Sequence, residues 1–261
     1  MNEGSGFLIA FGIACGALLS AYQAKKYNHD PEIIYYLFLP LTIWGLIGAR
    51  LWHIFTPPLS SVQLGLTTQH YLSHPIDALA LWTGGFGIPG AILGGVIALY
   101  IFCRKYEQSF WELADILAPG ILLAQIIGRL TNYFNQELYG LPTNGFLKIF
   151  IDPAHRLLGY EAIEFYHPLF AYEMILNTIY LILLLWLSQK YGVPEPAPAN
   201  KAGTLFLIYL VIYSITRFGL EFLRLDSSLI NGVNINQVFF IFLFIFAGGF
   251  LLWRNRFVQN L

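Results

Sequence analysis

Side chains able to bind or move charge are concentrated in four places of an otherwise apolar chain. The longest is GRLTNYFNQELYG, residues 128–140, where Arg129 and Asn132 stand three apart and Asn135, Gln136 and Glu137 follow. In RFGLEFLR, Arg217, Glu221 and Arg224 repeat at i, i+4 and i+7, which makes one stripe of a helix. In FYHPLFAYE, His167, Tyr172 and Glu173 surround Pro168, a residue suited to a first helical turn. In GLIGARLWHIF, Arg50 and His53 share a helical face. The planar guanidinium fork matches phosphate and carboxylate oxygens, so arginines set among amides and carboxylates point to anion binding. The plainer reading is structural. Arg217 and Glu221 could pair with each other, and Arg50 could hold its helix against a neighbour.

The elements that must position these groups are membrane spans. Of the 261 residues, 57% are apolar and only 11% charged, whereas a soluble domain is about a quarter charged. Apolar runs of about 20 residues, enough to cross a bilayer, recur along the chain. The expected architecture is an all-α polytopic membrane protein, residues 1–261 forming one integral domain. Spans are expected near 7–22, 34–55, 79–102, 113–130, 168–188, 203–222 and 235–253. The start, with Glu3 and no small-residue cleavage site, reads as a retained first span rather than a removed leader.

Seven spans put the two termini on opposite sides, and charge sets which. Lys25, Lys26, Arg104, Lys105, Lys190, Lys201, Arg254 and Arg256 flank one face, against Lys148, Arg156 and Arg224 on the other. The positive-inside rule then places the N-terminus outside and the C-terminus in the cytoplasm. The 131–166 loop becomes a small outward-facing head, and the 128–140 string lies at the outer end of the fourth span. Ionisable groups in spans are costly and functional by default. With both arginine sites near the outer leaflet, a phospholipid headgroup is the nearest candidate ligand.

Several other features carry less. Cys15 and Cys103 lie at different depths, so no disulfide is expected between them. GGFGIPGAILGG contains a literal G-x-G-x-x-G without the strand–helix unit that a nucleotide fold needs, and its Gly90 and Gly94 suit close helix packing. YGVPEPAPANKAG reads as a Pro-rich cytoplasmic spacer. No basic tail suggests nucleic acid. No His, Cys or Asp cluster has metal-ligand spacing, and no metal or cofactor is expected.

The string GRLTNYFNQELYG resembles the signature of the prolipoprotein diacylglyceryl transferases: Gly-Arg, then Asn, an aromatic, Asn-x-Glu and a closing Gly. GLIGARLWHIF, WTGGFGIPGAILGG, IDPAHRLLGYE, YHPLFAYE and RFGLEFLRLD are similar to further blocks of that family, in its order and over nearly the whole chain. The resemblance implies a multi-pass protein of the bacterial cytoplasmic membrane with its active site toward the outer leaflet. It implies transfer of the diacylglyceryl group of phosphatidylglycerol to the lipobox cysteine of a prolipoprotein signal peptide, releasing glycerol-1-phosphate. Carried over residue by residue, it makes Arg129, Asn132, Glu137, Arg217 and Glu221 the essential positions. Arg129 and Arg217 would hold the phosphate, Asn132 and Glu137 would orient it or the arginines, and Glu221 would fix Arg217. Arg224, His167, Tyr172, Glu173 and Arg50 would line or support the lipid site.

The chain departs from the family pattern in three places. Thr131 and Tyr133 replace Gly and Phe within the signature, and Gly4-Ser5-Gly6 stands where Trp-Tyr-Gly is usual. Pro89 occupies a position where some members carry a histidine able to act as base. His53, His167 and Glu221 remain as candidates for that role. Two other readings of the same residues are a membrane carrier or flippase for a phosphate headgroup, and a catalytically inactive homologue.

Overall fold

A computed structural model of the chain describes residues 3–191 and 202–259. Residues 192–201, most of the Pro-rich spacer and Lys201 with it, lie outside the described residues. Seven of the helices are long and apolar enough to span a membrane. They are α1 (Glu3–Lys26), α2 (Glu32–Phe55), α6 (Ile88–Lys105), α7 (Phe110–Asn135), α8 (Leu169–Tyr191), α9 (Thr204–Glu221) and α10 (Ile235–Gln259). Three short helices, α3 (Leu59–Gln63), α4 (Thr68–Ser73) and α5 (Pro75–Leu79), follow α2. Two small antiparallel ribbons complete the fold, β1 (Ile149–Phe150) with β2 (Phe165–Tyr166) and β3 (Leu229–Ile230) with β4 (Val233–Asn234).

Two boundaries differ from the sequence expectation, each for a local reason. The third span begins at Ile88, not near 79, because Gly84 and Gly85 both take positive φ and break the chain before Gly87 caps α6. Pro89 then sits in the first turn, where its missing N–H costs nothing. The fourth span is longer than expected. α7 continues through Asn135 and ends only when Gln136 turns left-handed, so residues 131–135 belong to the helix and not to the head.

The helices pair chiefly as α1 on α7, α2 on α6, α7 on α8 and α9 on α10. In lipid there is no hydrophobic drive between helices, so small residues that let backbones approach carry the packing. Gly48 and Gly90 face each other at the α2–α6 crossing, and a Cβ on either would strike the other's carbonyl. Gly16 and Gly120 play the same part between α1 and α7. The core between them is built from Leu113, Leu117, Leu122, Leu205, Tyr213 and Phe240. Cys15 and Cys103 are both free thiols.

The segment after α7 has a small core of its own, Tyr139, Ile151 and Tyr166. The Tyr139 hydroxyl accepts from the Leu157 amide at 2.9 Å and donates to the His155 carbonyl at 2.8 Å. Burial pushes that hydroxyl up to about 12, so it stays protonated and keeps donating. This head is tied to the end of α9 where Gly140 bridges to Arg224 and the Leu141 amide donates to the Leu223 carbonyl at 2.8 Å. Gly140 is required there, since a Cβ would lie 2.6 Å from the Leu223 carbonyl oxygen.

Candidate active site

The last turns of α7 present Arg129 and Asn132 side by side, and the left-handed turn at Gln136 folds Glu137 back over them. The Glu137 amide donates to the Asn132 carbonyl at 3.0 Å. Its carboxylate accepts from Asn132 Nδ2 and Asn135 Nδ2, both at 3.1 Å, while Arg129 Nη1 donates to Asn132 Oδ1 at 3.2 Å. The two amides thereby aim their oxygens and nitrogens in fixed directions, and Ser5 Oγ of α1 donates to Asn135 Oδ1 at 2.7 Å.

The joint of the site is Glu173 of α8, which is fully buried. Arg129 Nη2 donates to Glu173 Oε1 at 2.7 Å, Arg217 Nη1 donates to Glu173 Oε2 at 2.8 Å, and Tyr213 donates to Oε1 at 3.2 Å. One carboxylate thus holds both arginines, one from α7 and one from α9. The sequence reading has Glu221 fixing Arg217 and Glu173 lining or supporting the site; in the structure Glu221 does pair with Arg217, and Glu173 makes the closer contact. Glu221 stands 3.7 Å from Arg217 and 3.5 Å from Arg224, and its other oxygen accepts from Asn236 at 3.1 Å and Asn234 at 3.4 Å. The i, i+4 spacing made Glu221 the obvious partner, but α8 supplies the closer one.

These groups crowd the head end of a cavity of about 920 Å³. Arg129, Asn132, Glu137, Arg217 and Arg224 line that end, and Leu99, Ala114, Leu117 and Phe206 line the other. From Ala114 to Asn132 the wall formed by α7 is about 27 Å long at the helical rise, close to the thickness of a bilayer core. The buried Nε–H groups of Arg129, Arg217 and Arg224 have no acceptor among the described residues. The three arginines, Arg217 buried and Arg129 and Arg224 partly so, face two buried carboxylates, Glu173 and Glu221. Asp226, partly buried, and Glu137, solvent-exposed, also border the cavity.

Arg50, His167 and Tyr172 do not line the cavity. Arg50 donates to the backbone carbonyls of Asp77, Ala78, Gly84 and Gly85, so its guanidinium clamps the α5–α6 connection rather than lining the cavity. His167 hydrogen-bonds the Tyr172 hydroxyl at 3.0 Å, and its backbone pairs with Gly140 and Leu141, which fastens the head to α8. His53 does reach the cavity, where its Nε2 lies 3.2 Å from the Tyr71 hydroxyl. Sequence reasoning passed over Asn234 and Asn236. They follow the β3–β4 turn, and nothing in their spacing relates them to Glu221.

A buried ion pair is weak evidence for stability, but removing one partner leaves an uncompensated charge. Glu173→Gln should therefore cost about 3–5 kcal/mol, read as a lowered thermal midpoint of the detergent-solubilised protein. A midpoint equal to that of the wild type would show that the two arginines do not depend on this carboxylate.

The family model described as prolipoprotein diacylglyceryl transferase matches residues 5–253. The phosphatidylglycerol–prolipoprotein diacylglyceryl transferase of Synechococcus elongatus is 37% identical over 248 residues, covering 95% of this chain and 82% of the relative. The protein of the same name from Acaryochloris marina is 41% identical over 234 residues, covering 89% and 79%. That of Parasynechococcus marenigrum is 36% identical over 264 residues, covering 98% and 91%. Signature, span pattern and near full-length identity converge, and the chain belongs to the prolipoprotein diacylglyceryl transferase family.

Proposed function

We propose that this chain transfers the diacylglyceryl group of phosphatidylglycerol to the lipobox cysteine of a prolipoprotein, the first step of bacterial lipoprotein maturation. The observation that carries the reading is the set of three buried arginine Nε–H groups, without acceptors among the described residues, at one end of a long cavity whose far end is apolar. A phosphodiester has one negative charge and unsubstituted oxygens to accept those donors, and its acyl chains match the apolar shaft. The charged side chains of the lining are confined to one end, which supports an enzyme over a carrier, since a headgroup crossing the membrane would need charged or strongly polar contacts along the whole path.

In the reaction, the cysteine sulfur attacks the glycerol carbon that bears the phosphate ester. An S–C bond forms, the C–O bond breaks, and the bonding pair leaves with the oxygen of glycerol-1-phosphate. Charge grows on the departing phosphate, and preset guanidinium donors in a water-poor site stabilise such charge strongly. Arg129 and Arg217 fill that role, Glu173 sets their spacing, and Asn132 with Glu137 orients Arg129. The thiol must also lose a proton to react. Of the three candidate acceptors, only His53 borders the cavity, and we assign the proton to it.

Purified protein given phosphatidylglycerol and a lipobox peptide should yield a diacylglyceryl thioether, seen as a mass increase on the cysteine. Arg129→Ala and Arg217→Ala should each lower the rate by about 10²-fold or more. His53→Gln should lower it by about 10²–10⁴-fold, while His167→Gln retains the wild-type pH profile. Wild-type protein that binds both substrates yet never yields the thioether would refute the reading, and near-normal rates in a variant would remove that residue's role.

The excess of Lys and Arg at the opposite end of the bundle supports a site facing the outer leaflet of the cytoplasmic membrane. Phe146, in the head, is 99% exposed, and the native cysteines lie within α1 and α6. Phe146→Cys should react with a membrane-impermeant maleimide in intact spheroplasts. Labelling that requires lysis would reverse the orientation.

A further inference from the structure

Just deeper than the arginine layer, the same three helices carry a second set of polar groups. Gln125 precedes Arg129 by four residues and Asn177 follows Glu173 by four, so each lies one turn, about 6 Å, farther from the head. Tyr209 of α9 completes the set. Asn177 Nδ2 donates to Gln125 Oε1 at 3.4 Å, and Gln125 Nε2 donates to the Tyr209 hydroxyl at 3.0 Å.

Asn177 donates to Gln125 and Gln125 donates to Tyr209, so the chain ends on two unmet groups among the described residues, the buried Asn177 Oδ1 on α8 and the Tyr209 O–H on α9. Tyr209 is 3% exposed and borders the cavity, as does Gln125. A buried hydroxyl without an acceptor is costly in an apolar environment. Tyr213, one turn closer to the head, differs in this respect because its hydroxyl donates to Glu173. The charged groups are all in the layer above, so the chain of donors at Gln125 and Tyr209 suits an acceptor that is neutral.

The geometry points to Gln125 and Tyr209 as a carbonyl-binding subsite that holds a fatty-acyl ester of the diacylglyceryl group. This rests on the phosphatidylglycerol reading. An ester carbonyl accepts hydrogen bonds, carries no charge, and lies a few bonds below the phosphate, at the depth of this layer when the phosphate is among the arginines. The two residues are positioning residues. Held at both the phosphate and the ester, the glycerol carbon between them is fixed for attack from one side. Asn177 orients Gln125 from behind. The subsite also makes the protein selective for ester-linked over ether-linked lipid, because an ether has no carbonyl to offer.

The test compares diester phosphatidylglycerol with its diether analogue of equal chain length on the full chain in detergent, by competitive binding in native mass spectrometry and by transfer rate. Wild-type protein should favour the diester by about three- to tenfold, the worth of one neutral hydrogen bond. Tyr209→Phe, which keeps the ring and removes only the donor, should bring the ratio close to one, and Gln125→Met should lower it independently. A merely structural role for the pair would change stability and leave the ratio untouched. Equal binding of the two lipids by the wild type, or a preference that survives both substitutions, overturns the subsite. Failure to bind either lipid would instead bring down the phosphatidylglycerol reading together with this one.

Discussion

One carboxylate shared by two arginines organises this molecule. Glu173 lies at full burial between Arg129 and Arg217, and each donates to a different one of its oxygens. An ion in a low-dielectric interior is expensive unless paired, and here a single anion makes two cations affordable while leaving charge over. With Arg224 and Glu221 added, three arginines face two buried carboxylates, and three of their Nε–H groups have no acceptor among the described residues. Under the proposed function, the lipid phosphate supplies those acceptors.

The rest of the structure keeps that point in place. Glycine contacts bring α1 onto α7 and α2 onto α6, which seats the wall formed by α7 against its neighbours below Arg129. The left-handed end of α7 returns Glu137 over the arginine, and Gly140 lets the head lie against α9 beside Arg224. Arg50, although a buried cation, serves the frame instead. Its hydrogen bonds to four carbonyls hold the positive-φ glycines that delay the start of α6.

The sequence made the spans and the polar strings legible, for physical reasons. A run of about 20 apolar residues has no alternative to crossing the bilayer as a helix. A charged residue inside such a run announces itself because it is costly there. Spacing along one helix, such as Arg217, Glu221 and Arg224, also reads directly. Contacts between helices do not, which is why Glu221 was favoured over Glu173 and why Asn236 was missed. Gln125 and Tyr209 escaped notice for a related reason: a lone amide or phenol in an apolar run is a weak signal until a partner on another helix is known. The late start of α6 depended on two glycines taking left-handed φ, which their sequence permits but does not require.

The central claim is that the three arginines form a phosphate site completed by lipid. An experimental structure of the protein with phosphatidylglycerol bound tests it most directly. The account predicts the phosphorus between Arg129, Arg217 and Arg224, with its oxygens accepting from their Nε–H groups and the acyl chains running toward Leu117 and Phe206. A headgroup found elsewhere in the cavity, with those three donors satisfied by the protein itself, would contradict it.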